Sequence, residues 1–421
     1  MSQVPESDTT VTRQQWKWSA LAGMASYLDA GSIVALGAGL VLFQKEFQLT
    51  NGMVGALAAI GPNAIGCAIG ALAGGWLGDK LGRKRIYKWD LLVYAAGILC
   101  IAFAFNREML FIGTVIVGLA VGADVPTSLA LVGEIAPAKA RGKLLGFTQV
   151  AWCLGPTIVL WLALALAPLG LLGIRIVFLH LFVVAIVTWA LRRGLAESAR
   201  WTAAAAGAKQ NLRALFVGAN LRALAWTGII YLFWNLAAGT AGAFNSYLIT
   251  KHNADNQALG VGLPSAAFIT AMIVAVTVFM PYADRGHSTR KLLWGIGAIT
   301  QIVAYGLLIL LPFSIPVIVV NIVLFAGGAA LAGEAFYKVF SQELFPTMLR
   351  GTAQGITFGV ARIAVGIWSF FVPVLTGSGG IPLLASLLTI FLVISGAVGF
   401  FFMPNTSGKS LEQIESERAG T

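Results

Sequence analysis

Glu134-Ile135-Ala136-Pro137-Ala138-Lys139-Ala140-Arg141-Gly142 and Glu343-Leu344-Phe345-Pro346-Thr347-Met348-Leu349-Arg350-Gly351 are two copies of one frame, E-x-x-P-x-x-x-R-G. Each copy closes one long apolar stretch and opens the next. Chance duplication of such a frame at equivalent places is improbable, so the chain reads as two related halves. A second motif supports this. The loop Gly75-Trp76-Leu77-Gly78-Asp79-Lys80-Leu81-Gly82-Arg83-Lys84-Arg85 in the first half has a degraded copy, Asp284-Arg285-Gly286-His287-Ser288-Thr289-Arg290-Lys291, in the second. Repeated halves are the architecture of many secondary transporters, with the ligand site near mid-membrane between them.

Composition sets the solvent. Of 421 residues, 58% are apolar and 11% charged, against roughly 25% charged in a soluble domain, and mean hydropathy is +0.84. Such a chain cannot cover a water-facing surface. At about 20 apolar residues per span, twelve segments are expected: 16–43, 52–78, 87–105, 109–134, 143–167, 173–191, 221–249, 260–283, 290–310, 315–342, 353–377 and 381–403. The fold class is an all-α membrane protein of twelve transmembrane helices in two six-helix repeats. Residues 1–191 form the first half, 192–220 a central loop, 221–403 the second half and 404–421 a tail.

A net charge of +11 in a soluble protein would suggest nucleic acid. Here 23 of the 28 Lys and Arg fall on segments of one side, four (Lys45, Arg107, Arg175 and Lys251) on the other, and Arg362 inside a span. The positive-inside rule then places both termini and the central loop in the cytoplasm, and no nucleic-acid partner is expected. Cys67, Cys100 and Cys153 lie in apolar stretches and read as small core residues. The first 15 residues are polar and no small-residue cleavage site follows the first apolar run, so no cleaved leader is expected. Glycines recur every four residues at 66, 70, 74 and 78, at 118 and 122, and at 351, 355 and 359, a spacing that lets helix backbones approach closely in lipid.

Enzymatic classes lack their motifs. His180, His252 and His287 are scattered and no H-E-x-x-H occurs. Gly408-Lys409-Ser410 resembles the end of a P-loop, but residue 403 is Met and no strand precedes it. No cofactor, metal or ATP site is expected, which leaves an ion gradient or facilitation to drive transport.

The Gly75–Arg85 run resembles the G-x-L-a-D-r-x-G-R-k signature of the major facilitator superfamily. The paired E-x-x-P-x-x-x-R-G frames are similar to those of its sugar porter branch. So is Glu197-Ser198-Ala199-Arg200-Trp201, close to P-E-S-P-R-W, and Pro404–Glu412, close to P-E-T-K-G-x-x-L-E. The resemblance spans residues from about 27 to 415. It implies a multi-pass protein of the cell membrane, working as a monomer, that carries a small-molecule substrate through the lipid bilayer together with protons. It also implies that Asp79, Arg83, Glu134, Arg141, Glu197, Arg200, Asp284, Glu343 and Arg350 form a charge network holding the outward-facing state. A solvated charge near the headgroups is the plainer reading of each.

Ionisable groups deep in spans are costly and usually functional. Asp29, Asp124 and Glu334 are therefore candidates for proton coupling. In sugar–proton symporters resembling this chain, an acidic residue stands at the place of Asp29; a permanently paired Asp is the alternative. Asp124 precedes Glu134 by ten residues and Glu334 precedes Glu343 by nine, so the two acids are expected at nearly the same depth in the two halves. Arg362 is expected either to pair with Glu334, a pairing that Lys338 one turn on can share, or to bind substrate oxygens. The resemblance makes Gln149 a ligand for substrate hydroxyls, though an interhelical amide bond would equally explain it. Trp234, Asn235, Asn245, Tyr247, Tyr337 and Trp368 complete a candidate shell of amides and rings for a polyhydroxylated ligand.

There are departures from the hexose carriers. The seventh span lacks Gln-Gln-x-x-G, the tenth has Gly333-Glu334-Ala335-Phe336-Tyr337-Lys338 in place of G-P-x-P-W, and the buried Arg of some fourth spans falls near Thr114. Ala361-Arg362-Ile363-Ala364-Val365-Gly366 resembles instead a branch carrying organic and aromatic acids. The expected substrate is a sugar or polyol such as an inositol, taken up by proton symport; the alternative is a small organic anion held by Arg362.

Overall fold

The computed structural model describes residues 10–207, 211–252, 257–312, 314–378 and 380–419. Its long helices are α1 (Arg13–Glu46), α2 (Ile65–Leu81), α3 (Asp90–Ala102), α4 (Arg107–Ile135), α5 (Arg141–Ala165), α6 (Leu171–Arg192), α7 (Gly218–His252), α8 (Gln257–Val274), α9 (His287–Leu310), α10 (Ile315–Leu331), α11 (Arg350–Ser378) and α12 (Gly380–Phe401). They follow the twelve apolar segments. Eleven stretches among the described residues are long and apolar enough to cross a membrane. The twelfth, expected over 87–105, is the 13-residue α3, preceded by a short helix, Arg83–Tyr87.

Local chemistry explains the helix ends. Thr12 and Gln15 form a capping box at the start of α1, and the Asn106 side chain accepts from Met109 N–H at the start of α4, satisfying donors that no helical carbonyl reaches. Two segments expected as single spans are broken. The helix Asn51–Ile60 ends at Gly61-Pro62-Asn63-Ala64 before α2 begins, because proline disfavours helical geometry in the residue before it. In the tenth span, α10 stops at Leu331 and a separate helix, Glu334–Glu343, starts after Gly333. Such breaks in the bilayer are tolerated only where protein buries the freed backbone. The residues around this one are buried throughout.

Large apolar side chains such as Val41, Phe105, Leu172, Ile299 and Phe370 point outward, as expected where lipid is the solvent. The first and last described segments lie at one face of the bundle: Gln15 donates to Ile135 O (3.0 Å), and Arg418 reaches Leu344 O and Ala219 O. This end, with the loops that carry the duplicated frames, is termed the charged face below.

The two long glycine stripes have different tasks. Gly70 and Gly74 let α2 pack on α4 within the first half, against Leu119 and Ala123. The stripe at 351, 355 and 359 faces the other half. There α11 meets α2 so closely that a Cβ on Gly75 would lie 2.2 Å from Gly351 O, and one on Gly355 2.3 Å from Ala71 O.

Candidate functional site: a crossed latch and a buried polar centre

The two halves meet at the charged face through reciprocal contacts. Helix α11 starts at Arg350, and its second and third residues have no helical partner for their N–H groups. Asp79, from the end of α2, supplies the acceptors. It takes hydrogen bonds from Gly351 N–H (3.0 Å), Thr352 N–H (2.6 Å) and the Thr352 hydroxyl (2.8 Å). Helix α5 starts at Arg141 after Ala140, which caps nothing. Here Asp284 of the second half accepts from Gly142 N–H (2.9 Å) and Lys143 N–H (2.8 Å). Each half thus caps a helix of the other, where a carboxylate also complements the positive helix end.

Arginines and glutamates lock this layer. Arg83 donates to Asp79 (2.8 Å), to Glu134 (2.7 Å) and across the halves to Thr347 O (3.0 Å). Arg350 reaches Glu134 from the other half (3.2 Å). In the second copy Arg290 donates to Glu343 (2.7 Å), and Arg141 crosses to Glu343 (3.2 Å). All of these side chains are buried. Burial works against the charge of Arg83, but Glu134 and Asp79 outweigh it and hold its pKa above the ordinary arginine value. Burial raises the Asp284 carboxyl, opposed by Arg290 and the two backbone donors. The Glu197 carboxylate accepts from Arg83 N–H and Lys84 N–H (both 3.0 Å), capping the short helix after Gly82, whose φ of +96° needs glycine. Arg200 donates to Glu412 (2.9 Å), tying the central loop to the tail.

All nine network residues therefore meet at the charged face. Arg290, which had no assigned role in the sequence reading, takes the place of Arg83 in the second half. Its signal was present in the degraded copy, but six residues separate it from Asp284 whereas four separate Arg83 from Asp79. Removing a charged hydrogen bond costs roughly 1.5–3 kcal/mol, and about 1.4 kcal/mol is tenfold in a population. Arg83→Ala or Arg141→Ala is thus expected to shift the closed charged face about tenfold or more toward open. Accessibility of a cysteine placed beside Gly351 to a water-soluble thiol reagent measures this, and wild-type labelling in both variants would contradict it.

Deeper in the bundle a second polar group joins the halves. Asp29 of α1 accepts from Trp152 Nε1 (3.2 Å) and lies 3.7 Å from Arg362 Nη2. Arg362 donates to Asn63 Oδ1 (2.8 Å), in the break before α2, with its guanidinium 4.7 Å from the Phe358 ring centroid. Glu334, at the first turn of the second helix of span ten, accepts from Gln149 Nε2 (3.3 Å) and lies 3.6 Å from Lys338. Lys338 in turn donates to Gln149 Oε1 (2.7 Å). Two acids and two bases are thus paired, and each of these four is at most 4% exposed.

This corrects several expectations. Arg362 pairs with Asp29 and Asn63, not with Glu334; Lys338 and Gln149 hold Glu334, the helix break having turned that acid toward α5. Lys338 is buried in the bundle and does not belong with the inner loop charges. Asp124 and Glu334 have different kinds of partner, Glu334 facing Gln149 of the other half. Asp124 binds Arg192 inside the first half (2.9 Å), away from the interface. Trp234 donates to Gln301 (2.9 Å) and packs beneath Gly333, while Trp368 donates to Thr240 (2.8 Å); both brace helices. The Tyr337 hydroxyl meets Thr357 (2.8 Å) and its ring stacks on Tyr231 at 3.8 Å. Asn235 is buried with Oδ1 unpartnered. The side chains of Asn245 and Tyr247 lie outside the described residues. At Thr114 the hydroxyl turns back to Leu110 O. Asn63 and Trp152 were missed, since an amide in a Gly-Pro-Asn break and one tryptophan among twelve carry no distinguishing spacing.

Duplicated halves, broken helices at mid-depth, paired charges between the halves and a crossed latch at one face define a secondary transporter of the major facilitator type. The chain belongs to the sugar (and other) transporter family, whose model matches residues 44–217 and 257–417; it is a transporter, not an enzyme, and a multi-pass protein of the cell membrane. A minor myo-inositol transporter of Bacillus subtilis (strain 168) is 38% identical, over 96% of this chain and 94% of that protein. A galactose-proton symporter of Escherichia coli (strain K12) is 36% identical over 32% of this chain and 28% of its own length. Among solved structures, that of the proton:xylose symporter XylE bound to 6-bromo-6-deoxy-D-glucose superposes with a TM-score of 0.85 at 19% identity, covering 96% of this chain and 99% of that one.

Proposed function

We propose that this transporter takes up a small neutral polyol or sugar by proton symport, with myo-inositol the first candidate. One observation carries the reading. Around the polar centre, Asp29 Oδ1, Arg362 Nε and Tyr231 Oη are buried without hydrogen-bond partners, as is Asn235 Oδ1 one turn along α7 from Tyr231. Unpaired buried polar atoms are costly unless something fills them, and a ring of hydroxyls both donates and accepts. The charges of the centre already pair with one another, so a neutral ligand leaves them balanced. The near full-length relative named as a myo-inositol transporter supports this choice, and the galactose-proton symporter supports the coupling.

In this reading the charged face is cytoplasmic, in line with its excess of Lys and Arg. The latch then closes the inner side, and the halves, 1–191 and 221–403, rock around the polar centre as a monomer in the bilayer. Asp29 takes a proton from outside. Once neutral, it no longer holds Arg362, and the tie between α1 and α11 is weakened as the latch opens.

The second reading, a small carboxylate on Arg362, rests on the unpartnered Nε and the 3.7 Å separation from Asp29. Thermal-shift measurements on purified protein distinguish the two. Myo-inositol or a hexose is expected to raise Tm, and benzoate and gluconate to leave it unchanged. Stabilisation by the acids alone would overturn the polyol reading.

A further inference from the structure

Beneath the latch, wholly within the first half, lies a buried group that neither the latch nor the polar centre uses. Arg192, the last residue of α6, sends Nε to Leu21 O (2.9 Å), Nη1 to both oxygens of Asp124 (3.0 and 2.9 Å), and Nη2 to Ala22 O (3.4 Å) and the Ser128 hydroxyl (3.3 Å). Its donors are spent. Asp90, the first residue of α3, uses one oxygen to accept from Leu91 N–H (2.6 Å). The other, Oδ2, is 3.7 Å from Arg192 Nη1 and has no hydrogen-bond partner. Asp90 and Asp124 are 6% and 2% exposed, and both carboxyl groups face the same Arg192 Nη1, at 3.7 and 2.9 Å.

Helix α4 contributes Asp124 and Ser128, α6 contributes Arg192, and α1 offers backbone carbonyls. The short helix Arg83–Tyr87 contributes the Tyr87 ring, 4.8 Å from the Arg192 guanidinium, with its hydroxyl donating to Thr127 O (2.9 Å). Two carboxyls therefore share one cation in a buried place. An uncompensated buried charge is far more expensive than a bound proton, and a hydrogen on Asp90 Oδ2 gives Asp124 a donor and removes the surplus charge.

We propose that Asp90 and Asp124 bind one proton between them, at a site separate from Asp29 and covered on the charged-face side by the helix Arg83–Tyr87. That helix begins at the latch arginine and ends at the tyrosine over the cluster, so release of Arg83 from Thr347, its contact across the halves, loosens the cover. The proton then has a path to the face at which the latch opens. The inference stands whether or not Asp29 couples transport.

Infrared spectroscopy of the full-length protein in lipid tests it. A protonated-carboxyl stretch at neutral pH is expected in the wild type and in Asp29→Asn, and its loss in Asp90→Asn. Asp124→Asn is expected to lose it too, because Asp90 then becomes the sole counter-ion of Arg192 and ionises. In deuterated buffer the band is expected to shift about tenfold faster in Arg83→Ala, as a cover loosened by roughly 1.4 kcal/mol implies. Survival of the band in either aspartate variant would overturn the shared proton. Equal shift rates with and without Arg83 would overturn the cover. Should one variant fail to fold, the other decides the first point.

Discussion

Replacing Asp29 with Asn is expected to abolish gradient-driven accumulation of radiolabelled myo-inositol, the proposed substrate, in proteoliposomes, while exchange of internal for external myo-inositol continues. Asn is neutral, as the protonated acid is, and keeps an acceptor for Trp152, so the variant mimics a carrier that never releases its proton. Asp29 is also the partner of Arg362 from the opposite half. A neutral residue there leaves Arg362 to Asn63 alone, and the halves still move once loaded with substrate. Uphill accumulation at the wild-type level in this variant would remove Asp29 from the coupling mechanism.

Gly75→Val is expected to act at the other end of the cycle. The carbonyl of Gly351 already occupies the space a Cβ would take, and both partners are backbone, which cannot swing aside as a flexible side chain does. Overpacking costs roughly 1–3 kcal/mol, equivalent to about 5–150-fold in a two-state population. Spin labels on the loops of the two halves at the charged face should therefore report the separated distance as the dominant one. A distance distribution identical to wild type would mean that the α2–α11 contact does not set the closed state.

Much of this architecture is legible in the sequence. Twelve apolar segments become the helices, and the duplicated frames mark the latch because Arg and Gly at the start of a helix leave N–H groups that a carboxylate must meet. The pairings across the halves are less legible. Nothing in the spacing of Asp29 and Arg362 says that α1 and α11 face each other, and Glu334, the nearer acid in sequence, was the natural choice for Arg362. The break after Gly333 redirects Glu334 toward Gln149, and a polar residue's direction after a break is not periodic. Lys338 follows Glu334 by one helical turn, which suits a loop charge and a buried partner equally well. Arg192 looked like the first cation of the central loop; only its position between α1, α3 and α4 makes it the counter-ion of Asp124.

The crossed capping has a consequence for water. When the halves part at the charged face, the amides of Gly142, Lys143, Gly351 and Thr352 lose their carboxylate acceptors together with the salt bridges. A helix end without a side-chain cap must be solvated, and so must Asp79 and Asp284. Opening is therefore a wetting transition: the layer that is dry and self-satisfied when shut becomes the lining of an aqueous vestibule, and the hydration of two helix ends and two carboxylates is what replaces the contacts given up.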